Sequence, residues 1–423
     1  MQPYFLHYIQ NRLLYPATIT APPCADLDLI VVIPSRNEPH LCATLTSLQN
    51  ASRSAPVEVI VVINGAQEDP PELRQRNHFY AQEAEAWAKA NPSADFFCHI
   101  LYFPDLPSRH AGVGLARKIG MDEALIRFHR LQNPQGVIVC LDADCTVAPN
   151  YFDTLQHHFR HNPDTPGCAI YFEHPFANLT EERHRQAIVL YELYLRYWRA
   201  GLHFCGFPYP FHTIGSSMAV RANAYSRQGG MNQRKAGEDF YFLQKILPLG
   251  QFTEVNTTTV YPSPRVSWRV PFGTGRAVKD WLEEGRPDRL VANPQGWLDL
   301  FFLFSSIEQL YSERDDFPPL SPALEKFLGS VQWSAALNEI RQNSASPATF
   351  RARFFQWFNA FRIRKFFNTP HPDLPLIPIE QASATLLHWW GLGDLEEQDR
   401  EKQLDSYRQL DKQGWPTPPS QKT

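Results

Sequence analysis

GVIVCLDAD, residues 136–144, decides the fold. A run of apolar residues between a glycine and two aspartates reads as a short strand buried on both faces, which suits the interior of a parallel sheet. Its carboxylate end is the telling part. Asp142 and Asp144, at i and i+2, repel each other unless a cation or a basic partner sits beside them. Two hard carboxylates in that arrangement suit a divalent cation whose remaining ligands come from diphosphate oxygens. A solvated loop is the plainer reading of an Asp-x-Asp triplet, and the position at a strand end weighs against it.

Working outward, LDLIVVIP (27–34), VEVIVVI (57–63) and FFCHILYF (96–103) are further strand-like runs, and segments of helical spacing stand between them at 37–48, 82–90 and 112–131. This alternation predicts an α/β fold, helices packed on a mostly parallel sheet with a ligand site at the carboxyl ends of its strands. Beyond it, 180–199 carries Ile188, Tyr191, Tyr194, Leu195 and Trp198 on one helical face. A strand-and-turn region at 213–220 leads through Gly229-Gly230 to a helix at 238–247. Past about Arg276, apolar residues recur at helical spacing between Pro-rich breaks such as FPPLSP and TPHPDLPLIP. The expected organisation is an N-terminal extension (1–26), an α/β catalytic domain (27–276) and a mainly helical C-terminal region (277–423).

Composition excludes several classes. The 423 residues are 43% hydrophobic, enough for a sizeable core. Lys and Arg number 40 against 44 Asp and Glu, with no basic stripe for a phosphate backbone, so nucleic acid is not expected as a partner. The longest apolar runs fall well short of the ~20 residues that cross a bilayer, and the N-terminus has no signal-peptide pattern, so a cytoplasmic protein without a membrane span is expected. The seven cysteines form no Cys-x-x-Cys pair and read as reduced core thiols, Cys140 and Cys145 included.

Three more segments add chemistry. Glu238-Asp239, in AGEDFYF, opens a helix, where acidic residues are commonplace because the helix dipole favours them. Beside a bound diphosphate, such a carboxylate is what an attacking hydroxyl needs to lose its proton. IPSRNEP (33–39), with Pro34, Arg36 and Glu38, ends the first strand and offers backbone amides to a nucleotide. GVGLARKIG (112–120) puts Gly112 and Gly114 before a helix that carries Arg117, and small residues with cations there suit a diphosphate. Its glycine spacing is not the dinucleotide fingerprint.

Together IPSRNEP, the Asn64-Gly65 turn, GVGLARKIG, LDADC and GSSMAVRANAYSRQGGMN with AGED resemble the nucleotide-sugar-dependent glycosyltransferases of family 2, which have the GT-A fold. The resemblance runs from about Leu27 to Arg276. It implies a Rossmann-type mixed sheet with helices on both faces, a nucleotide-diphosphate sugar donor, a hydroxyl acceptor (glycan, lipid-linked or small molecule), a manganese or magnesium ion held through Asp142 and Asp144, and inversion at the anomeric carbon. By the same resemblance Asp142 contacts the ribose or sugar side, Asp239 is the general base and Glu238 places the acceptor. Gly215 and Ser216 then lie near donor or acceptor. Family members usually carry aspartates after the second strand to read the base; here Ile63 and Asn64 stand there, which leaves the nucleotide open. PSPRVSWRVPFGTGR (262–276) loosely resembles the Gln-x-x-Arg-Trp element of processive synthases, and Arg265 or Arg269 is expected to help neutralise the departing diphosphate.

Two other classes compete. A nucleotidyltransferase also uses carboxylate-bound metal on an α/β sheet, but it calls for a Gly-rich basic loop after the first strand, and PSRNEP has no glycine. A non-catalytic scaffold has no need for Asp142, Asp144 and Asp239 in order.

Overall fold

The computed structural model describes residues 3–265, 278–279, 281–282, 289–312, 319–392 and 399–416. Its first strand, β1 (Leu29–Ser35), is buried along its whole length, as a continuous β-branched run predicts. β2 (Val57–Ala66) and β4 (Val137–Cys140) are likewise buried throughout, whereas β3 (Phe96–Leu106) is only half-buried along most of its length; β4 stops at Cys140, short of the expected 136–144, so Asp142 and Asp144 lie in the turn that follows it. Val31 lies beside Val59 of β2 on one side and Val139 of β4 on the other, in parallel register. Four more strands complete the sheet: β5 (Thr146–Val147), β6 (Gly167–Phe172), β7 (Met218–Arg221) and β8 (Thr253–Tyr261).

The order is β3-β2-β1-β4-β7-β6-β8-β5, eight strands, with β7 antiparallel to both of its neighbours. The mixed α/β sheet expected from the sequence is therefore present. From β1 the chain builds β2 and β3 outward on one side, whereas β4 lies on the other side. Such a reversal opens a crevice at the carboxyl ends of β1 and β4. The IPSRNEP and LDAD segments follow those two strands.

Helix α1 (Pro3–Asn11) opens the chain, α2 (Leu41–Asn50) follows β1 and α3 (Pro71–Ala90) follows β2. The expectation for the last began at residue 82; the helix starts eleven residues earlier because Pro71 is well placed at a first turn, although PELRQRNHFY has no apolar periodicity. Helix α4 (Val113–Arg130) is buried along most of its length against β1 and β2. Gly120 permits this approach, since a Cβ there would fall 2.4 Å from Val32 Cγ1. Its buried charges are all paired. Arg127 holds Glu58 of β2, Lys118 holds Asp122 at 2.9 Å, and Glu123 accepts from the amide of Thr18 at 2.7 Å. Asp122 also accepts from Tyr8 at 2.8 Å, so α4 fastens the N-terminal extension through polar contacts. Helices α5 (Tyr151–His161), α6 (Glu182–Phe204), α7 (Ala222–Arg227) and α8 (Glu238–Ile246) follow in chain order.

The chain divides into two compact units, residues 1–178 with 213–279, and 179–212 with 280–423. Helix α6 thus groups with the C-terminal helices, whereas a cut at residue 276 would leave it with the sheet. This second unit contains the short pair β9 (Leu290–Val291) and β10 (Ile377–Pro378) and the helices α9 (Pro294–Ser305), α10 (Ile307–Ser312), α11 (Pro322–Ser330), α12 (Trp333–Gln342), α13 (Pro347–Trp357), α14 (Ala360–Asn368), α15 (Ile379–Trp389) and α16 (Arg400–Gln413). The Trp297 indole lies against Gly201 of α6, where a Cβ would come within 2.1 Å of Cε2. Phe304, Phe354 and Phe358 form a buried aromatic cluster with centroids 5.3–6.0 Å apart. Among the described residues no helix is long and apolar enough to cross a membrane.

Candidate active site

The first unit brings Asp142, Asp144, Glu238 and Asp239 to one end of its sheet through two arginines. Arg117, on the second turn of α4, is 2% exposed and its fork holds Asp142 with one Nη and Glu238 with the other. Gly215 makes room for it, because a Cβ there would lie 2.4 Å from Arg117 Nη1. Arg265, just past β8, holds Glu38 and reaches Asp144 Oδ2 at 2.9 Å. Glu38 is 2% exposed and also accepts from the amide of His40 at 3.0 Å.

Asp239 is placed by backbone. Gly237, with φ of 68°, supplies the left-handed residue that starts α8. Asp239 Oδ2 then accepts from the Gly215 amide at 2.8 Å and Oδ1 from the Phe240 amide at 2.7 Å. Asp239 is half-buried, whereas Glu238 is 2% exposed. Burial raises the Glu238 carboxyl from 4.5 to about 7 against the pull of Arg117. Burial also raises Asp239, again opposed by Arg117 and by its two amide hydrogen bonds.

Charge is the notable feature of the cluster. Among the described residues five carboxylates (Glu38, Asp142, Asp144, Glu238, Asp239) meet Arg117 and Arg265. Carboxylates crowded this closely favour protons or cations beside them. Asp142 and Asp144 keep 42% and 24% of their side chains exposed, so they can meet one. Among the described residues no three His, Cys, Asp or Glu are placed to hold a metal ion. A cation held at Asp142 and Asp144 would need phosphate oxygens or water among its remaining ligands.

The remaining expected residues fall around this core. Pro34 and Ser35 end β1, and Asn64 lies on β2, 2% exposed with its Nδ2 unpartnered. Ser35 Oγ is likewise buried without a partner. Arg36 is tied to Asp69 and donates to the Ala111 carbonyl at 3.4 Å. Ser216 is buried beside Gly215. Arg269 lies outside the described residues. Gly112 and Gly114 do a different job from the one their sequence suggested. A Cβ on Gly114 would fall 2.3 Å from the Arg234 carbonyl, and one on Gly112 would fall 2.9 Å from Lys235 Cα. These glycines admit the loop before α8, so their close approach is to protein backbone.

Sequence reasoning missed how Asn232 works: its Nδ2 donates to the Glu238 carbonyl at 2.8 Å and anchors the loop to the start of α8. It also missed the Arg265 bridge to Glu38, which joins residues far apart in the chain and leaves no local pattern. Among the described residues all seven cysteines are free; Cys140, Cys145, Cys168 and Cys205 are buried as the core reading expects, and burial pushes Cys140 up to about 12, whereas Cys24, Cys42 and Cys98 are only half-buried.

Residues 30–226 match the family model for glycosyl transferase family 2. No curated protein sequence matches the chain. Among solved structures, S. aureus TarS 1-349 aligns with 12% identity and a TM-score of 0.35 over 91% of this chain and 90% of that one. Its complex with UDP-GlcNAc gives 11% and 0.36 over the same shares. Mannosyltransferase PcManGT from Pyrobaculum calidifontis, in complex with GDP-Man and Mn2+, gives 15% and 0.36 over 96% of this chain and 93% of that one.

Proposed function

We propose, for a chain whose residues 30–226 match the glycosyl transferase family 2 model, that the crevice at β1 and β4 moves a sugar from a nucleotide-diphosphate donor to a hydroxyl acceptor with inversion. The observation that carries this reading is the Arg117 fork, which joins the strand-end Asp142 to Glu238, the neighbour of Asp239. A donor group and a base are thereby held in one rigid frame, as a direct displacement needs.

In that displacement the acceptor O–H gives its proton to Asp239, its oxygen bonds to the anomeric carbon, and the bond to the diphosphate breaks with the electron pair leaving on the diphosphate. Asp239 suits the base role because it is the more accessible of the pair and its carboxylate is aimed by two backbone amides. A carboxyl raised by burial is also a stronger base than a solvated one. Asp142 and Asp144 would hold manganese or magnesium, which supplies positive charge to the leaving diphosphate. Arg265 lies beside Asp144 and adds a fixed cation in the same place. The unpartnered Asn64 Nδ2 and Ser35 Oγ are polar groups for the nucleoside.

A thermal-shift panel of UDP, GDP, TDP and their sugars, with manganese or with a chelator, tests the reading. A ligand that binds only the folded state stabilises it by about 2.7 kcal/mol at a hundredfold excess over Kd. One nucleotide should stabilise the protein strongly with manganese and weakly with chelator, and Asp144→Asn should abolish most of the difference. Equal stabilisation in chelator overturns the metal assignment, and no stabilisation by any nucleotide overturns the donor assignment.

A further inference from the structure

The loop before α8 differs in charge from the rest of the site. Arg234 and Lys235 are both exposed, as is Arg109 on the turn that precedes Gly112. Lys235 lies directly over Gly112, so the two segments make one rim. Elsewhere around the site arginines are matched: Arg36 with Asp69, Arg117 with Asp142 and Glu238, Arg265 with Asp144 and Glu38. Among the described residues Arg109, Arg234 and Lys235 have no Asp or Glu within salt-bridge distance. The chain as a whole carries a net charge of -4, so this local excess of cations is not a product of composition.

Arg234 is also fixed in place. Its guanidinium lies 3.7 Å from the ring centroid of Tyr241, a residue 38% exposed and two positions past Asp239. A guanidinium stacked on an aromatic ring keeps its fork free for an oxyanion and loses little freedom on binding. The loop is itself anchored through Asn232 to Glu238 and through the close contact at Gly114. Asp239 takes its hydrogen bonds from backbone amides, so these cations are not needed to satisfy it.

We propose that loop 232–237 is the acceptor side of the site and that the acceptor is anionic, a saccharide bearing phosphate or carboxylate groups. Arg234 and Lys235 read its charge while its hydroxyl reaches Asp239. This inference rests on the glycosyl-transfer reading above and names the acceptor class for it.

The test uses the full chain and the nucleotide sugar that the thermal-shift panel selects. Transfer is measured to a neutral trisaccharide, to the matching trisaccharide with one uronic acid, and to the same trisaccharide carrying one phosphate. At least one anionic acceptor should show a kcat/KM roughly tenfold or more above the neutral one, as expected for a charge-assisted contact; which of the two leads identifies the anion. Its KM should rise several-fold between low and high salt, through screening of exposed charges, while that of the neutral acceptor stays flat. Arg234→Ala with Lys235→Ala should raise the anionic KM by about tenfold and leave the donor Kd within about twofold. Equal use of neutral and anionic acceptors at all salt concentrations overturns the anionic assignment while donor binding still supports glycosyl transfer. Failure to bind any donor overturns both. The salt series uses the wild-type protein and so stands even where the double variant fails to fold.

Discussion

Two clusters of arginines and carboxylates, one in each unit, reach opposite electrostatic outcomes. In the helical unit, Asp411 meets Arg196, Arg199 and His212, while Glu192 meets Arg196 and Arg408. Three arginines there serve two carboxylates, and Arg199 and Arg196 help hold Asp411 well below the carboxylate range despite complete burial. His212 is lowered to about 4, chiefly by burial, and stays neutral at physiological pH. In the sheet unit, among the described residues, five carboxylates gather around Arg117 and Arg265, and burial pushes Glu238 and Asp239 upward. The same side chains thus hold Asp411 low in one unit and, in the other, leave Glu238 and Asp239 raised. A buried network that keeps its carboxylate ionised holds structure; carboxyls raised by burial are suited to taking up a proton.

The largest effect should come from breaking the Asp411 network. Asp411→Ala leaves Arg196 and Arg199 buried without that partner and should cost about 3–5 kcal/mol in denaturant unfolding. Because the Asp411 carboxyl is depressed, its contribution is present at neutral pH and is lost as pH falls through the acid range. A loss below about 1 kcal/mol would mean that the arginines find other partners, and the contrast between the clusters would fail.

Asp239→Asn probes the sheet-unit cluster in the opposite sense. The amide keeps the shape and still accepts one backbone hydrogen bond, but it cannot take the acceptor proton. Turnover should fall by roughly 10²-fold or more, and stability should change by no more than about 1 kcal/mol. Donor Kd should hold, since Asp142 and Asp144 remain. Wild-type transfer by the variant would move the base to Glu238.

How much of this contrast could be read from the chain follows from where each signal lives. The buried strands were legible because LIVVI and VIVVI are local patterns, and Asp142 with Asp144 was legible because they are two residues apart. Strands β6 and β8 and helix α5 were not named in advance; GCAIYF and TEVNTTTVY are short or polar, and their places come from pairing with distant strands. Helix α4 hid its burial, since Arg117, Lys118, Asp122, Glu123 and Arg127 look like a solvated face until Glu58, Tyr8 and Asp142 are brought to them. The Gly112 and Gly114 pair announced a close approach correctly and misled about what approaches. The Asp411 network joins α6 to α16, some 200 residues apart, and no local pattern reports it.

The smallest expected effect is the sharpest probe of the shared arginine. Arg117 pulls both Glu238 and Asp239 downward, so weakening its fork should let both rise further. Arg117→Lys keeps the charge but cannot span Asp142 and Glu238 with two parallel donors. The acid limb of the transfer rate, which marks protonation of the coupled pair, should therefore move to higher pH by a unit or less, about 1.4 kcal/mol at most. Stability should follow the same sign. Glu238 has a folded value raised from 4.5 to about 7, so its favourable contribution is complete below about 4.5 and is lost as pH rises through 7. In the Lys variant that loss should be larger and extend to higher pH. A rate profile and a stability profile that both stay in place would mean that Arg117 fixes geometry without tuning the base, and a limb that moves to lower pH would assign the titration to a group outside the Glu238–Asp239 pair.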